Sequence, residues 1–476
     1  MKTTTYPWVP TKHRLKLNPF NGTKELDLFS FSKQDNIDQF LNSLNATLLS
    51  EVDYQFHRDH HLAMKEDRRP ILEGIDPDQL EEAGWAPVFT TQTPKEIKKA
   101  LKPLLDFRRN QAGGLYMDDL VYEGGSAVSF MTAKGSGPGP VDPKKLPYYL
   151  MLVGSPQEFS FDFQADLGVP HGVGRLYFEN PDNYRTYANQ IIKAETAQIN
   201  ATAKPELAFF GPNHDSDEST LATSTRLGEE LPCDLSDRFP DLAQITKYLG
   251  NNATRKCLAN LICGNKKPNF LFTAGHGMVC PRDEPYQKEF QGALICSEWP
   301  GPQVDYVSRD HFFAAQDLEV ILPGEPQTLG SIAFLLACYS LGTSVLDFQD
   351  NPSEYTASES FVARLPVAML RKGWSAVIAH VDSAYLRSFI WGENHSHLQT
   401  YASTLSSLLK GARIGWAMEP FGLRYAELQV HFHTAKKSAE AFQNDVDLAY
   451  LWIALNDARY FQVLGDPAVR FNAMVS

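Results

Sequence analysis

Two apolar runs of strand length each end in a residue suited to proton transfer or nucleophilic attack. Phe270-Leu-Phe-Thr-Ala274 leads into Gly275-His276-Gly277, and Ile332–Ala337 leads into Cys338, 62 positions beyond the histidine. A thiol of ordinary pKa, near 8.5, is mostly protonated at neutral pH, so it needs an imidazole or another positive field to act efficiently. In that arrangement Cys338 would attack a carbonyl carbon and His276 would protonate the departing amine. The negative oxygen formed in between requires fixed donors, and the backbone N–H groups of Gly277 and Cys338 lie at suitable chain positions. Glycines on both sides of His276 let a substrate approach that backbone closely.

Other residues could select the substrate. The stretch after Leu207–Gly211 carries Asp215, Asp217 and Glu218. These carboxylates would make an anionic pocket for arginine or lysine, or else an acidic turn or helix cap. Asp382, just past the run Val377–His380, is a second pocket candidate, and Trp299 and Asp305 are further ones. Cys280 follows His276 by only four residues but ends no strand, so it reads as a loop thiol. His57, His60 and His61 sit among Arg58, Asp59 and Lys65 and read as a solvated face. With no calcium loop of recognisable spacing and no Cys-x-x-Cys pair, the sequence implies neither a metal nor an organic cofactor.

The elements that must position these groups follow from periodicity. Trp85–Thr90, Tyr148–Gly154, Gly174–Phe178, Leu207–Gly211, Asn269–Ala274, Ile332–Ala337 and Ser375–His380 read as strands. Asn36–Leu49, Pro94–Arg109, Pro181–Glu195 and Ser360–Lys372 read as helices, and the glycine- and proline-rich 135–140 as a linker. Short apolar strands alternating with helices imply an α/β fold with a largely parallel sheet covered on both faces. Functional residues of such sheets gather at the carboxyl ends of the strands. The expected organisation is an N-terminal region of unknown role over 1–83, a non-catalytic α/β subdomain over 84–205, and a related catalytic subdomain over 206–476.

Composition narrows the function classes. A net charge of -13 argues against direct nucleic-acid binding, which depends on a basic face. With 43% hydrophobic and 21% charged residues the chain should bury a sizeable core. Six cysteines in 476 residues indicate reduced thiols and not a disulfide scaffold. The amino terminus lacks a signal-like apolar stretch, and the longest apolar tract is broken by Cys338, Ser340, Gly342 and Thr343, so no membrane association and a cytoplasmic location are expected.

An apolar block ending in His-Gly, followed by one ending in Ala-Cys, resembles the caspase-like superfamily of cysteine peptidases, clan CD. Within it the chain is most similar to the gingipain family. Arg364–Asp382 resembles that family's helix and strand after the cysteine, and Tyr460–Arg470 its closing Gly-Asp-Pro segment. Tyr148–Gly154, Val173–Leu176 and Tyr187–Glu195 resemble its preceding non-catalytic subdomain. The resemblance implies a caspase-like α/β sandwich of two related subdomains and a cysteine endopeptidase with Cys338 as nucleophile, His276 as acid/base, and Gly277 and the Cys338 amide as the oxyanion site. Cleavage after a basic residue would follow from Asp215, Asp217 or Asp382. Lacking a secretion signal, the chain looks more like CHAT-domain peptidases than a secreted enzyme. That likeness implies a regulated effector in bacterial defence, acting on a protein or peptide substrate and switched by an activating protein partner. The alternative is a catalytically silent caspase-like module that binds or scaffolds.

Overall fold

Uninterrupted apolar runs form strands that are buried on both faces, and the sheet they build is the centre of the molecule. The computed structural model describes residues 70–470, apart from 119, 198–203, 242, 265–266, 283, 305, 321–329, 346–355, 392–394 and 443–444. The expected helix at Asn36–Leu49, the His57–His61 cluster and Asp305 lie outside the described residues.

Ten strands join in one sheet: β1 (Trp85–Thr90), β2 (Leu120–Tyr122), β3 (Tyr149–Val153), β4 (Gly172–Leu176), β5 (Glu206–Gly211), β6 (Gln244–Leu249), β7 (Phe270–Ala274), β8 (Ser331–Leu336), β9 (Trp374–His380) and β10 (Phe461–Gly465). Their order is β2-β1-β3-β4-β10-β9-β8-β7-β5-β6. β10 is parallel to β4 but antiparallel to β9, and every other pairing is parallel. The strands from β2 to β10 therefore run opposite to those from β9 to β6. The carboxyl ends of the second group, which carry His276 and Cys338, all open on one edge of the sheet.

Helices cover both faces. α1 (Lys95–Ala112) and α2 (Phe161–Leu167) precede α3 (Pro181–Thr196), which starts with Pro181 after an Asn180 cap that accepts from the Asp182 amide. In the second half lie α4 (Glu218–Ala222), α5 (Arg255–Cys263), α6 (Arg364–Arg371), α7 (Gln399–Leu409), α8 (Glu419–Phe442) and α9 (Asp445–Arg459). Phe209, Phe272 and Phe334 stack across β5, β7 and β8 with centroids 5.5 and 4.9 Å apart, and Tyr401 of α7 packs edge-on against Phe272. Burying such rings supplies most of the folding free energy of a core like this.

The expected boundaries shift for local reasons. α6 begins at Arg364 and not at Ser360, because Phe361–Val362 pairs with Gly342–Thr343 in a short antiparallel ribbon. The strand expected at Gly174–Phe178 lies at Gly172–Leu176, where a side chain on Gly174 would collide with the Gly465 carbonyl of β10.

The Gly-Asp-Pro segment ties the two groups of strands together. Gly465 has φ +127°, a conformation that favours glycine. Asp466 accepts hydrogen bonds from Trp85 Nε1 at 3.0 Å and Arg108 Nε at 2.7 Å. Its amide donates to the Tyr187 hydroxyl, which in turn donates to the Ser375 carbonyl, both at 2.7 Å. Arg108 is fully buried and also bonds Glu195 at 2.8 and 2.5 Å, so its charge has two carboxylate partners.

Candidate active site

Register sets the site. Ala274 of β7 is paired with Leu336 of β8, and the Gly275 amide continues that ladder by donating to the Leu336 carbonyl at 3.1 Å. His276 and Cys338 each lie two residues beyond this pair. Equal offsets on adjacent parallel strands, about 4.8 Å apart, bring their backbones side by side at one sheet edge. The closeness is visible at Gly277, where any Cβ would overlap the Cys338 carbonyl. Only glycine fits there.

After the strand, residues 276–278 lie on the ribbon Leu294–Ile295. The Met278 amide donates to the Ala293 carbonyl at 2.8 Å and the Ile295 amide to the His276 carbonyl at 3.0 Å. Gly277 faces Leu294 as an antiparallel bridge whose bonds are made by the flanking residues. Its own N–H is therefore not consumed by the pairing.

The histidine is held by a carboxylate. Asp217 Oδ2 lies 2.7 Å from His276 Nε2, and the residues are 8% and 2% exposed. A carboxylate can only accept, so Nε2 carries the proton and proton exchange with a reacting group falls to Nδ1. The other carboxylate oxygen caps α4, accepting from the Ser219 amide at 3.1 Å, and the Thr220 hydroxyl donates to Oδ2 at 3.0 Å. Burial pushes the Asp217 carboxyl up, but the hydrogen bond and charge of His276, aided by Thr220 and His214, outweigh it and hold the group at about 2.

A second histidine stands behind this pair. His214 Nε2 donates to the Cys296 carbonyl at 3.1 Å, and its Nδ1 lies 3.9 Å from Asp217. Burial lowers its pKa, so it is neutral at neutral pH. The Trp299 ring meets both imidazoles edge-on, with centroids 4.8 Å from His214 and 5.9 Å from His276.

At the other strand end the chain turns sharply. Tyr339 has φ +57° and its amide donates to the Asp382 carbonyl at 2.7 Å. A non-glycine residue in this region is strained by roughly 1–3 kcal/mol and persists only where neighbours over-determine it. The Cys338 sulfur receives the Ala384 amide at 3.3 Å and lies 3.5 Å from the Ala384 carbonyl, and the residue is 0% exposed.

The acidic candidates separate. Asp215 is exposed on the loop after β5, close to Gly301. Asp217 points inward to His276. Asp382 is 1% exposed and adopts φ +56°. Its carboxylate accepts the Ser344 amide at 2.6 Å, which fixes the loop after the cysteine. Among the other thiols, burial pushes Cys280 up to about 12 and raises Cys296 well above the ordinary thiol value, so both stay protonated and inert.

Among the described residues no group of three His, Cys, Asp or Glu side chains could hold a metal ion, and no helix is long and apolar enough to cross a membrane. The Asp217–His276 pair is the feature that spacing alone did not reveal. Asp217 was legible as an acidic cap, but its second partner lies 59 positions away and becomes adjacent only through the β5–β7 pairing.

No protein-family model matches the sequence, and no curated protein sequence matches it. Solved structures do resemble it. The crystal structure of the Arg-specific cysteine proteinase gingipain R is similar with a TM-score of 0.49 and 14% identity, over 82% of this chain and 79% of that one. The complex of the pro- and mature domains of Porphyromonas gingivalis RgpB gives 0.48 and 14%, over 82% and 80%. The Saccharomyces cerevisiae separase–securin complex gives 0.35 and 11%, over 71% of this chain and 17% of that chain. At such identities and scores these likenesses carry no chemistry to this chain, and the chemistry has to come from the residues themselves.

Proposed function

We propose that the chain is a cysteine endopeptidase acting on protein or peptide substrates. The observation that carries this reading is the equal two-residue offset of His276 and Cys338 beyond the Ala274–Leu336 pair, with His276 oriented by a buried, ionised Asp217. In this reading Cys338 Sγ passes its proton to His276 Nδ1 and attacks the scissile carbonyl carbon, and the Gly277 and Cys338 amides receive the oxyanion. His276 Nδ1 gives its proton to the leaving amine, then takes one from the water that hydrolyses the thioester. Asp217 stabilises the imidazolium formed on the way and acts as a positioning residue. Asp215, exposed on the loop after β5, is the residue we assign to meet a basic side chain, and cleavage after arginine or lysine is the specificity it favours.

The complete burial of Cys338 favours a second reading, a silent module with the same fold. An electrophilic peptide probe ending in arginine separates the two. Covalent labelling of the wild type, lost in Cys338→Ala and strongly slowed in His276→Ala, supports the peptidase. Equal labelling of wild type and Cys338→Ala, under conditions in which iodoacetamide reaches Cys338 of the wild type, removes it.

A further inference from the structure

The thiol proposed as nucleophile is covered by a segment that the C-terminal helices hold. Residues 382–385 cross over Cys338, with the Ala384 amide 3.3 Å from the sulfur. The next amide, of Tyr385, donates to Asp457 Oδ1 of α9 at 2.9 Å. His380 connects the same parts, its Nε2 3.3 Å from Asp457 Oδ1 and its Nδ1 3.4 Å from the Asp382 carbonyl. His380, Asp382, Ala384, Tyr385 and Asp457 are all buried.

The Tyr385 side chain belongs to the helices and not to the sheet. It packs in a core cluster separate from the main one, with Tyr425 and Phe432 of α8 and Trp452 and Ile453 of α9. Arg459 of α9 pairs with Asp162 at 3.1 Å and Asp166 at 3.7 Å, and Tyr425 of α8 donates to Asp166 at 2.9 Å, which fastens both helices to α2. Between the helices and the rest of the fold lies a cavity of about 40 Å³ lined by Gln164, Tyr425, Arg459 and Gln462 among others. Arg459 Nε and Gln462 Oε1 are buried without a hydrogen-bond partner among the described residues. A seam held by polar fasteners around a void separates at lower cost than a close-packed core.

We propose that the α8–α9 pair is a latch on the site: through Asp457 and Tyr385 it keeps residues 382–385 over Cys338, and a peptide reaches the sulfur only when the pair withdraws. This rests on the reading of Cys338 as nucleophile and adds its regulation.

The test is alkylation of the full chain by iodoacetamide in increasing, sub-denaturing urea. It is read cysteine by cysteine by peptide mass spectrometry, alongside amide exchange in α8 and α9. Cys233 is exposed and sets the open rate, while Cys280 and Cys296 are buried outside the α8–α9 cluster, Cys296 in the main core, and report global unfolding. The expected result is a Cys338 slower than Cys233 without urea, opening before Cys280 and Cys296 and together with the helix peptides. Tyr385→Ala should speed its alkylation at least roughly tenfold while Cys280 and Cys296 stay slow. Should that variant unfold, the wild-type urea series decides alone. The latch is overturned if Cys338 reacts as fast as Cys233 in native buffer, opens only with Cys280 and Cys296, or opens without the helices. An unalkylated chain that cleaves no peptide under conditions in which a parallel sample shows Cys338 open to alkylation would overturn the peptidase reading instead.

Discussion

Asp217 Oδ2 accepts a hydrogen bond from His276 Nε2 at 2.7 Å, inside the protein and away from solvent. In the proposed reaction its part is to fix which ring nitrogen carries the proton. In Asp217→Asn the amide can donate to Nε2 and so move the proton to Nδ1, the wrong tautomer for accepting one. We expect kcat to fall by roughly 10²- to 10⁴-fold with KM changed little. Steady-state kinetics on any cleaved peptide read the split, and an unchanged kcat would remove Asp217 from the mechanism.

The same pair makes stability depend on pH in a defined direction. The Asp217 carboxyl is held at about 2 in the folded chain against 3.8 for an ordinary one, so folding is favoured by its ionised form. That contribution, about 2 kcal/mol at most, is full above pH ~4 and is lost as the pH falls towards ~2. Urea unfolding at pH 6 and near pH 2.5 should show the stability gap between wild type and Asp217→Asn shrinking at the lower pH. A gap that stays constant would contradict the assignment.

Gly277→Ala places a methyl group on the Cys338 carbonyl. We expect a stability loss of about 1–3 kcal/mol and a loss of activity larger than that destabilisation explains, because the strand ends must part. Gly137→Ala, which meets nothing within 4 Å, should change stability by no more than about 0.5 kcal/mol. Chemical denaturation and peptide hydrolysis on both variants check the pair.

Much of this arrangement was legible in the sequence, and the exceptions have physical causes. Phe270–Ala274 and Ile332–Ala337 announce buried parallel strands because both faces are apolar, and a histidine or cysteine directly after such a run must lie at the sheet edge. β6, Gln244–Leu249, gives no such signal: it is an edge strand with half-exposed side chains. β10 carries Gln462 inside its apolar run and pairs antiparallel with β9, so the alternation of strand and helix does not foretell its place between the two groups. The latch contact of Tyr385 with Asp457 joins residues 72 positions apart and leaves no local pattern at all.

Asp466 shows what the closing Gly-Asp-Pro segment does. Asp466→Ala would leave the fully buried Arg108 with Glu195 as its one carboxylate partner and strip Trp85 Nε1 of its acceptor. A cost of about 3–5 kcal/mol is expected, as for other broken buried ion pairs. Thermal or urea unfolding measures it, and a loss under about 1 kcal/mol would mean the segment is not the tie between the strand groups.

The most direct test of the account is digestion of a diverse peptide library by the purified wild type beside Cys338→Ala. The account predicts cleavage after arginine or lysine by the wild type under conditions in which its Cys338 is open to alkylation, and none by the variant. Identical cleavage by both, or none by a wild type whose Cys338 is open to alkylation, would contradict it.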